Sequence, residues 1–114
     1  MSFHDGKLRS LITDFSADFI ARNSSGKSLI TVTNVLLSKD GRSAKILFTV
    51  LPESLEDEAL HFLKRNRSEL YDYAKTKMRG RYIPFFDFEV DKGEKFRISL
   101  DKALMDNKLN KDSI

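Results

Sequence analysis

The chain contains no cysteine, which excludes disulfides and thiolate zinc sites and fits a reducing compartment. Histidine is nearly absent. His4 lies in the N-terminal fringe, and His61 has no Cys, second His or carboxylate pair at ligand spacing, whereas a metal site needs three or four ligands. The five glycines, Gly6, Gly26, Gly41, Gly80 and Gly93, are too dispersed to build a phosphate-cradling loop or a dinucleotide fingerprint. No Gly-x-Ser-x-Gly elbow occurs. Long apolar runs are missing too. No stretch approaches the roughly 20 residues needed to cross a bilayer, and the first thirty residues carry no apolar core flanked by positive charge and a cleavage site. Neither a membrane span nor a signal peptide is expected, nor a catalytic residue, a cofactor, a metal or a small-molecule substrate.

What remains is a chain of 114 residues, a length that fits one domain able to bury well over half of its unfolded surface. Its net charge is +3, from 20 basic and 17 acidic residues, with a pI near 9.2. The distribution says more than the total. Between Lys64 and Arg81 lie seven basic residues, Lys64, Arg65, Arg67, Lys75, Lys77, Arg79 and Arg81, against only Glu69 and Asp72. That window carries +5, so with +3 overall the rest of the chain carries −2. A concentrated positive field beside a slightly acidic remainder suits an oriented polyanion-binding face; a lysine-rich solvated helix is the plainer alternative.

Apolar periodicity orders the chain. Leu8, Leu11, Ile12, Phe15, Phe19 and Ile20 recur at helical spacing over residues 5–22. Residues 29–37 read as a β-branched strand with apolar groups on both faces, hence as a strand covered on both sides or central in its sheet. A turn at 38–42, with Asp40-Gly41, leads to a return strand at 43–51. A second helical region opens after Pro52, with Ser54 and Asp57 as a capping box. It runs to about Met78, with Leu55, Ala59, Phe62, Leu63, Leu70, Tyr73 and Ala74 on one face. Asn66-Arg67-Ser68 interrupts that face with poor helix formers, which predicts a break within 65–69 and two helices at an angle. Gly80 ends the region. Phe86, Phe88 and Val90 alternate along a third strand at 85–90. Residues 95–104 are expected as a short helix or irregular cover using Phe96, Ile98, Leu100 and Leu104. A flexible polar tail is expected over 105–114. The predicted core joins Ile46, Phe48, Phe62, Leu63, Phe86 and Phe88. Helix, hairpin, paired helices and strand make an α+β sandwich, a three-stranded sheet with helices on one face.

On a helical wheel Lys64, Arg65, Lys75 and Arg79 fall within about a quarter-turn, away from the apolar face. Tyr71 and Tyr82 are candidates for stacking on bases or for half-buried packing, with packing expected for Tyr82. A basic helix pair between strands is close to the KH arrangement for RNA, yet no two glycines here are three apart, so the usual Gly-x-x-Gly clamp is missing.

Two segments carry a resemblance to a known family. The first is Ile30-Thr31-Val32-Thr33-Asn34-Val35, followed by Ser38-Lys39-Asp40 and Ala44-Lys45-Ile46. The second is Met78-Arg79-Gly80-Arg81-Tyr82-Ile83-Pro84-Phe85-Phe86-Asp87-Phe88-Glu89-Val90-Asp91. In order and spacing they resemble the ribosome-binding factor A family over roughly residues 7–104. The resemblance implies a KH-like (type II) fold as one domain over 1–104, in which an Ala-x-Gly helix kink replaces the Gly-x-x-Gly loop. It implies a monomeric, cytoplasmic, non-catalytic assembly factor that binds the immature small ribosomal subunit and assists late maturation of its 16S rRNA, above all in the cold. Here Asn66, Arg67 and Ser68 stand at the kink, and Gly80 replaces an aliphatic residue between the two arginines. The alternatives are a general single-stranded RNA-binding module and a protein-interaction domain using the same basic face.

Overall fold

A computed structural model of the chain describes residues 3–112, with side chains over 6–105. Helix α1 spans Phe3–Asn23, strand β1 Leu29–Leu37 and strand β2 Ser43–Leu51. A single 3-10 turn, Glu53–Leu55, leads into α2, Glu56–Arg65; α3 spans Arg67–Lys77, β3 Phe85–Val90 and α4 Lys92–Asp112. The three strand ranges coincide with the expected ones.

The sheet has the order β1-β2-β3. β1 and β2 pair antiparallel, with an irregularity between Val32 and Asn34, and β2 and β3 pair parallel. The central strand is therefore β2. The expectation that β1 is central is corrected: it is an edge strand, and its second apolar row, Leu29 and Leu36, is exposed. Apolar residues on both faces of β1 reflect a half-covered sheet, not a buried strand.

Alternation puts Ala44, Ile46, Phe48 and Val50 of β2, Val35 of β1, and Phe86 and Phe88 of β3 on the covered face. Helix α1 lays Ile12, Phe15, Phe19 and Ile20 on that face, while α2 and α3 add Ala59, Leu63, Leu70 and Ala74. Five of the six predicted core residues are buried, and Phe62 packs half-buried against them. Edge-to-face ring pairs join α1 to the sheet, Phe15 to Phe86 at 5.9 Å, and β2 to β3, Phe48 to Phe88 at 6.4 Å between centroids. Such pairs add roughly 0.5–1.5 kcal/mol beyond their buried area.

The Ser54–Asp57 capping box is not formed. Ser54 falls inside the 3-10 turn, Leu55 takes the cap position, and no side chain caps α2. Glu56, Asp57 and Glu58 still occupy its first turn, at the positive end of the helix dipole.

The stretch expected as a short helix or irregular cover is helical, the first half of α4, but it does not cover the core. Phe96, Ile98, Leu100 and Leu104 are all exposed on it. Its first turn is fixed to the body. Asp91 accepts from Glu94 N–H at 3.0 Å and from the Thr33 hydroxyl at 2.6 Å, and Lys95 bridges Glu53 at 2.8 Å and Glu56 at 3.0 Å. These anchors set α4 beside Thr31, Thr49 and Leu51, whose side chains alternate away from the core. The helix runs on through the start of the expected tail, and side chains from 106 onward lie outside the described residues.

Candidate nucleic-acid interface

The break between α2 and α3 is a single residue. Asn66 has φ −99 and ψ 16, and it serves as the C-cap of one helix and the N-cap of the next. Its N–H is shared between the carbonyls of Phe62 and Leu63, both at 3.2 Å, and its Nδ2 donates to Phe62 O at 2.7 Å. The amide side chain thus gives the Phe62 carbonyl, in the last turn of α2, a second donor where the helix is interrupted. Its own carbonyl accepts from Leu70 N–H at 3.0 Å, which starts α3. Asn66 makes the kink, while Arg67 and Ser68 already belong to α3.

The kink sets both helices against β3 and opens a groove of about 440 Å³. Lys64, Arg65, Arg67, Ser68, Tyr71 and Asp72 form its helical wall, and Phe85 and Phe86 its strand wall. Three of the seven basic candidates meet here. Lys64 Nζ lies 3.9 Å and Arg67 Nη1 3.2 Å from the same Asp87 oxygen, and the Arg67 guanidinium sits 5.3 Å from the centroid of the Phe85 ring. Arg65 is exposed and makes no ion pair among the described residues.

From the groove a stripe runs along α3 at four-residue spacing: Arg67, Tyr71 and Lys75, with Arg79 just beyond the helix. Lys75 Nζ lies 5.1 Å from the Tyr71 ring centroid and 3.5 Å from Asp72. At about 1.5 Å per helical residue, Arg79 stands roughly 18 Å from Arg67. Arg79 and Arg81 are exposed and make no ion pair among the described residues. Gly80 between them has φ 72, a left-handed conformation that glycine adopts at no steric cost. Arg81 pairs with neither Asp87 nor Asp91. Asp87 holds Lys64 and Arg67, and Asp91 holds Thr33 and the start of α4.

Lys77, another of the basic candidates, lies off this stripe. It sits over the Tyr73 ring at 5.4 Å, on the side facing α1. There the Tyr73 hydroxyl donates to Asp18, and that bond, aided by Arg22 and Lys77, holds the carboxyl below its usual range. Tyr82, expected to pack, is 70% exposed. Its place on the loop before Pro84 puts it beyond the reach of the core. Sequence reasoning also missed Phe85, in the groove wall, and Asp87, which pairs with two of its cations. Only the pairing of β3 along β2 brings them to the kink.

His61 is exposed on α2, and the side chain of His4 lies outside the described residues. Among the described residues no group of three or more His, Cys, Asp or Glu could hold a metal, and no helix is long and apolar enough to cross a membrane.

A helix, a hairpin, a kinked helix pair and a third strand, with a basic groove at the kink, define a fold of the KH-like type without the glycine clamp. Comparison with known families gives the narrower assignment. Residues 5–104 match the family model described as ribosome-binding factor A, and the chain belongs to that family, whose members are non-catalytic ribosome assembly factors. Three solved or fitted structures are similar. The crystal structure of ribosome-binding factor A from Thermus thermophilus is 27% identical, covers 75% of this chain and 92% of its own, and superposes with a TM-score of 0.67. The solution structure of a Thermotoga maritima protein is 26% identical over 77% of this chain and 87% of that one, with a TM-score of 0.65. A Thermus thermophilus homology model, as fitted into a cryo-EM map of a 30S–ribosome binding factor A complex, is 25% identical over 79% and 93%, with a TM-score of 0.62. A comparison with curated proteins gave no match.

Proposed function

We propose that this protein binds the immature small ribosomal subunit in the cytoplasm, as a monomer, and assists late maturation of its 16S rRNA by holding one rRNA conformer. The contact runs from the groove at Lys64, Arg65 and Arg67, past Tyr71 and Lys75, to Arg79 and Arg81. The observation that carries the reading is the joining of family membership to this basic stripe, which begins where the kink replaces the usual glycine clamp.

The chemistry requires no catalysis. Arginine and lysine grip the phosphate backbone, while Tyr71 offers a ring for stacking. A factor that binds one rRNA conformer more tightly than another shifts their populations by its differential affinity alone, without ATP. Sedimentation of a cell extract tests the proposal. Comigration with free small subunits is expected; recovery only in light fractions, or only on mature ribosomes, overturns it. A general RNA-binding module would instead spread over all RNA-containing fractions.

A further inference from the structure

Two cations of the groove are already paired from within. Asp87, on β3, places one oxygen between Lys64 Nζ at 3.9 Å and Arg67 Nη1 at 3.2 Å. The same oxygen accepts from Phe88 N–H at 2.9 Å, so the carboxylate is held in a fixed orientation. The pair also parks Arg67 over the Phe85 ring. Of the three cations lining the groove, only Arg65 keeps its full charge available.

We propose that Asp87 is an internal stand-in for an RNA phosphate, which RNA must displace from Lys64 and Arg67 to enter the groove. The inference rests on the RNA-binding reading above and adds a selection step to it. A tethered carboxylate competes at an effective concentration on the order of mM. A single phosphate or a mononucleotide therefore gains little by exchanging with it. A strand that also engages Arg65, Lys75, Arg79 and Arg81 presents several phosphates at once, and their joint attraction displaces the carboxylate. On departure of the strand Asp87 returns to the two cations, which favours release. The contact thus lowers affinity for every anion, and most of all for the short ones.

The contact geometry favours exchange over a permanent structural pair. All three side chains keep about two-fifths of their surface open, 44% for Lys64, 38% for Arg67 and 36% for Asp87, and exposed pairs of this kind are worth only about 0.2–1 kcal/mol each. A neighbouring pair offers a control. Glu89, on the same face of β3 as Asp87, bridges Lys45 at 2.9 Å and pairs with no cation of the groove.

The test compares Asp87→Asn with Glu89→Gln, using a short fluorescein-labelled single-stranded RNA and isolated immature small subunits. Each change removes one negative charge from β3. Asparagine keeps an oxygen for the Phe88 N–H, so the fold is preserved, which a circular-dichroism melt checks. Asp87→Asn is expected to tighten RNA binding about two- to thirtyfold at low salt, the worth of two exposed pairs. It is also expected to let inorganic phosphate compete at lower concentration. Glu89→Gln is expected to leave both nearly unchanged. Equal tightening by the two variants would mean net charge alone acts and would overturn the inference, as would no tightening by Asp87→Asn. In a parallel arm, Lys64→Ala with Arg67→Ala reports on the groove itself. Weaker binding there beside an unaltered Asp87→Asn sinks only the stand-in, whereas no RNA or subunit binding by the unmodified protein sinks the function as well.

Discussion

Reversing the charge of Arg79 and Arg81 tests the far end of the stripe. Both side chains are exposed, neither makes an ion pair among the described residues, and both follow Met78, the buried C-cap of α3. Surface changes away from packing usually alter stability by only about 0.5 kcal/mol, so Arg79→Glu with Arg81→Glu is expected to fold normally. Its effect on binding should be much larger. The two substitutions take residues 64–81 from +5 to +1. A unit charge about 4 Å from a phosphate is worth about 1 kcal/mol in water, and reversal both removes that attraction and adds a similar repulsion. Salt at about 0.1 M screens beyond roughly 10 Å and leaves such contacts largely intact. The expected loss is about 2–4 kcal/mol, roughly thirty- to several-hundred-fold.

Salt dependence gives a second readout. Each phosphate contact contributes a log–log slope of about −0.7 on single strands and about −0.9 on B-DNA. Four or five contacts along the stripe predict a slope of roughly −3 to −4 for the unmodified protein, and loss of two should flatten it by about 1.4–1.8. Sedimentation with small subunits, gel shifts over a salt series and a circular-dichroism spectrum complete the assay. A folded double variant that keeps its affinity and slope would refute the placement of the RNA contact.

Gly80→Ala forces a side chain into the left-handed region; the cost is about 1 kcal/mol or more, a fall of about 4–8 °C in Tm, and an unchanged Tm would show that the turn relaxes freely. Phe48→Ala empties a fully buried site at the centre of the sheet and should destabilise by about 3–5 kcal/mol in urea unfolding. For Asp91, the hydroxyl of Thr33 and then the N–H of Glu94 hold the carboxyl below its ordinary 3.8. A depressed folded pKa contributes stability that is present above the ordinary value and lost as pH falls through the folded one. Asp91→Asn should therefore reduce the loss of stability on acidification below about pH 4, measured by urea titration at stepped pH; identical acid limbs would exclude the linkage.

Elements whose own sequence decides them were legible. β2 and β3 alternate, β1 is rich in β-branched residues, and Asn66-Arg67-Ser68 weakens a helix wherever it stands, so three strand ranges and the kink follow from local pattern. The position of β1 at the edge does not follow, because Leu29 and Leu36 would suit a buried strand equally and only strand order leaves them exposed. The misread of α4 has a related cause. Phe96, Ile98, Leu100 and Leu104 alternate with polar residues much as a covering segment would, whereas their helix is anchored through Asp91 and Lys95 and carries them into solvent. The candidate site divides in the same way. The charge of the window between Lys64 and Arg81 is visible in one dimension, but Asp87 lies 20 residues from Arg67 and meets it only because β3 pairs parallel to β2 beside the kink. A count of basic residues therefore overstates the free positive charge at the groove. Two of its three cations are already shared with a carboxylate, and the uncompensated charge, on Arg65, Arg79 and Arg81, lies at the two ends of the stripe. An RNA strand that reaches both ends before displacing Asp87 would engage the unpaired cations first and exchange the paired ones last.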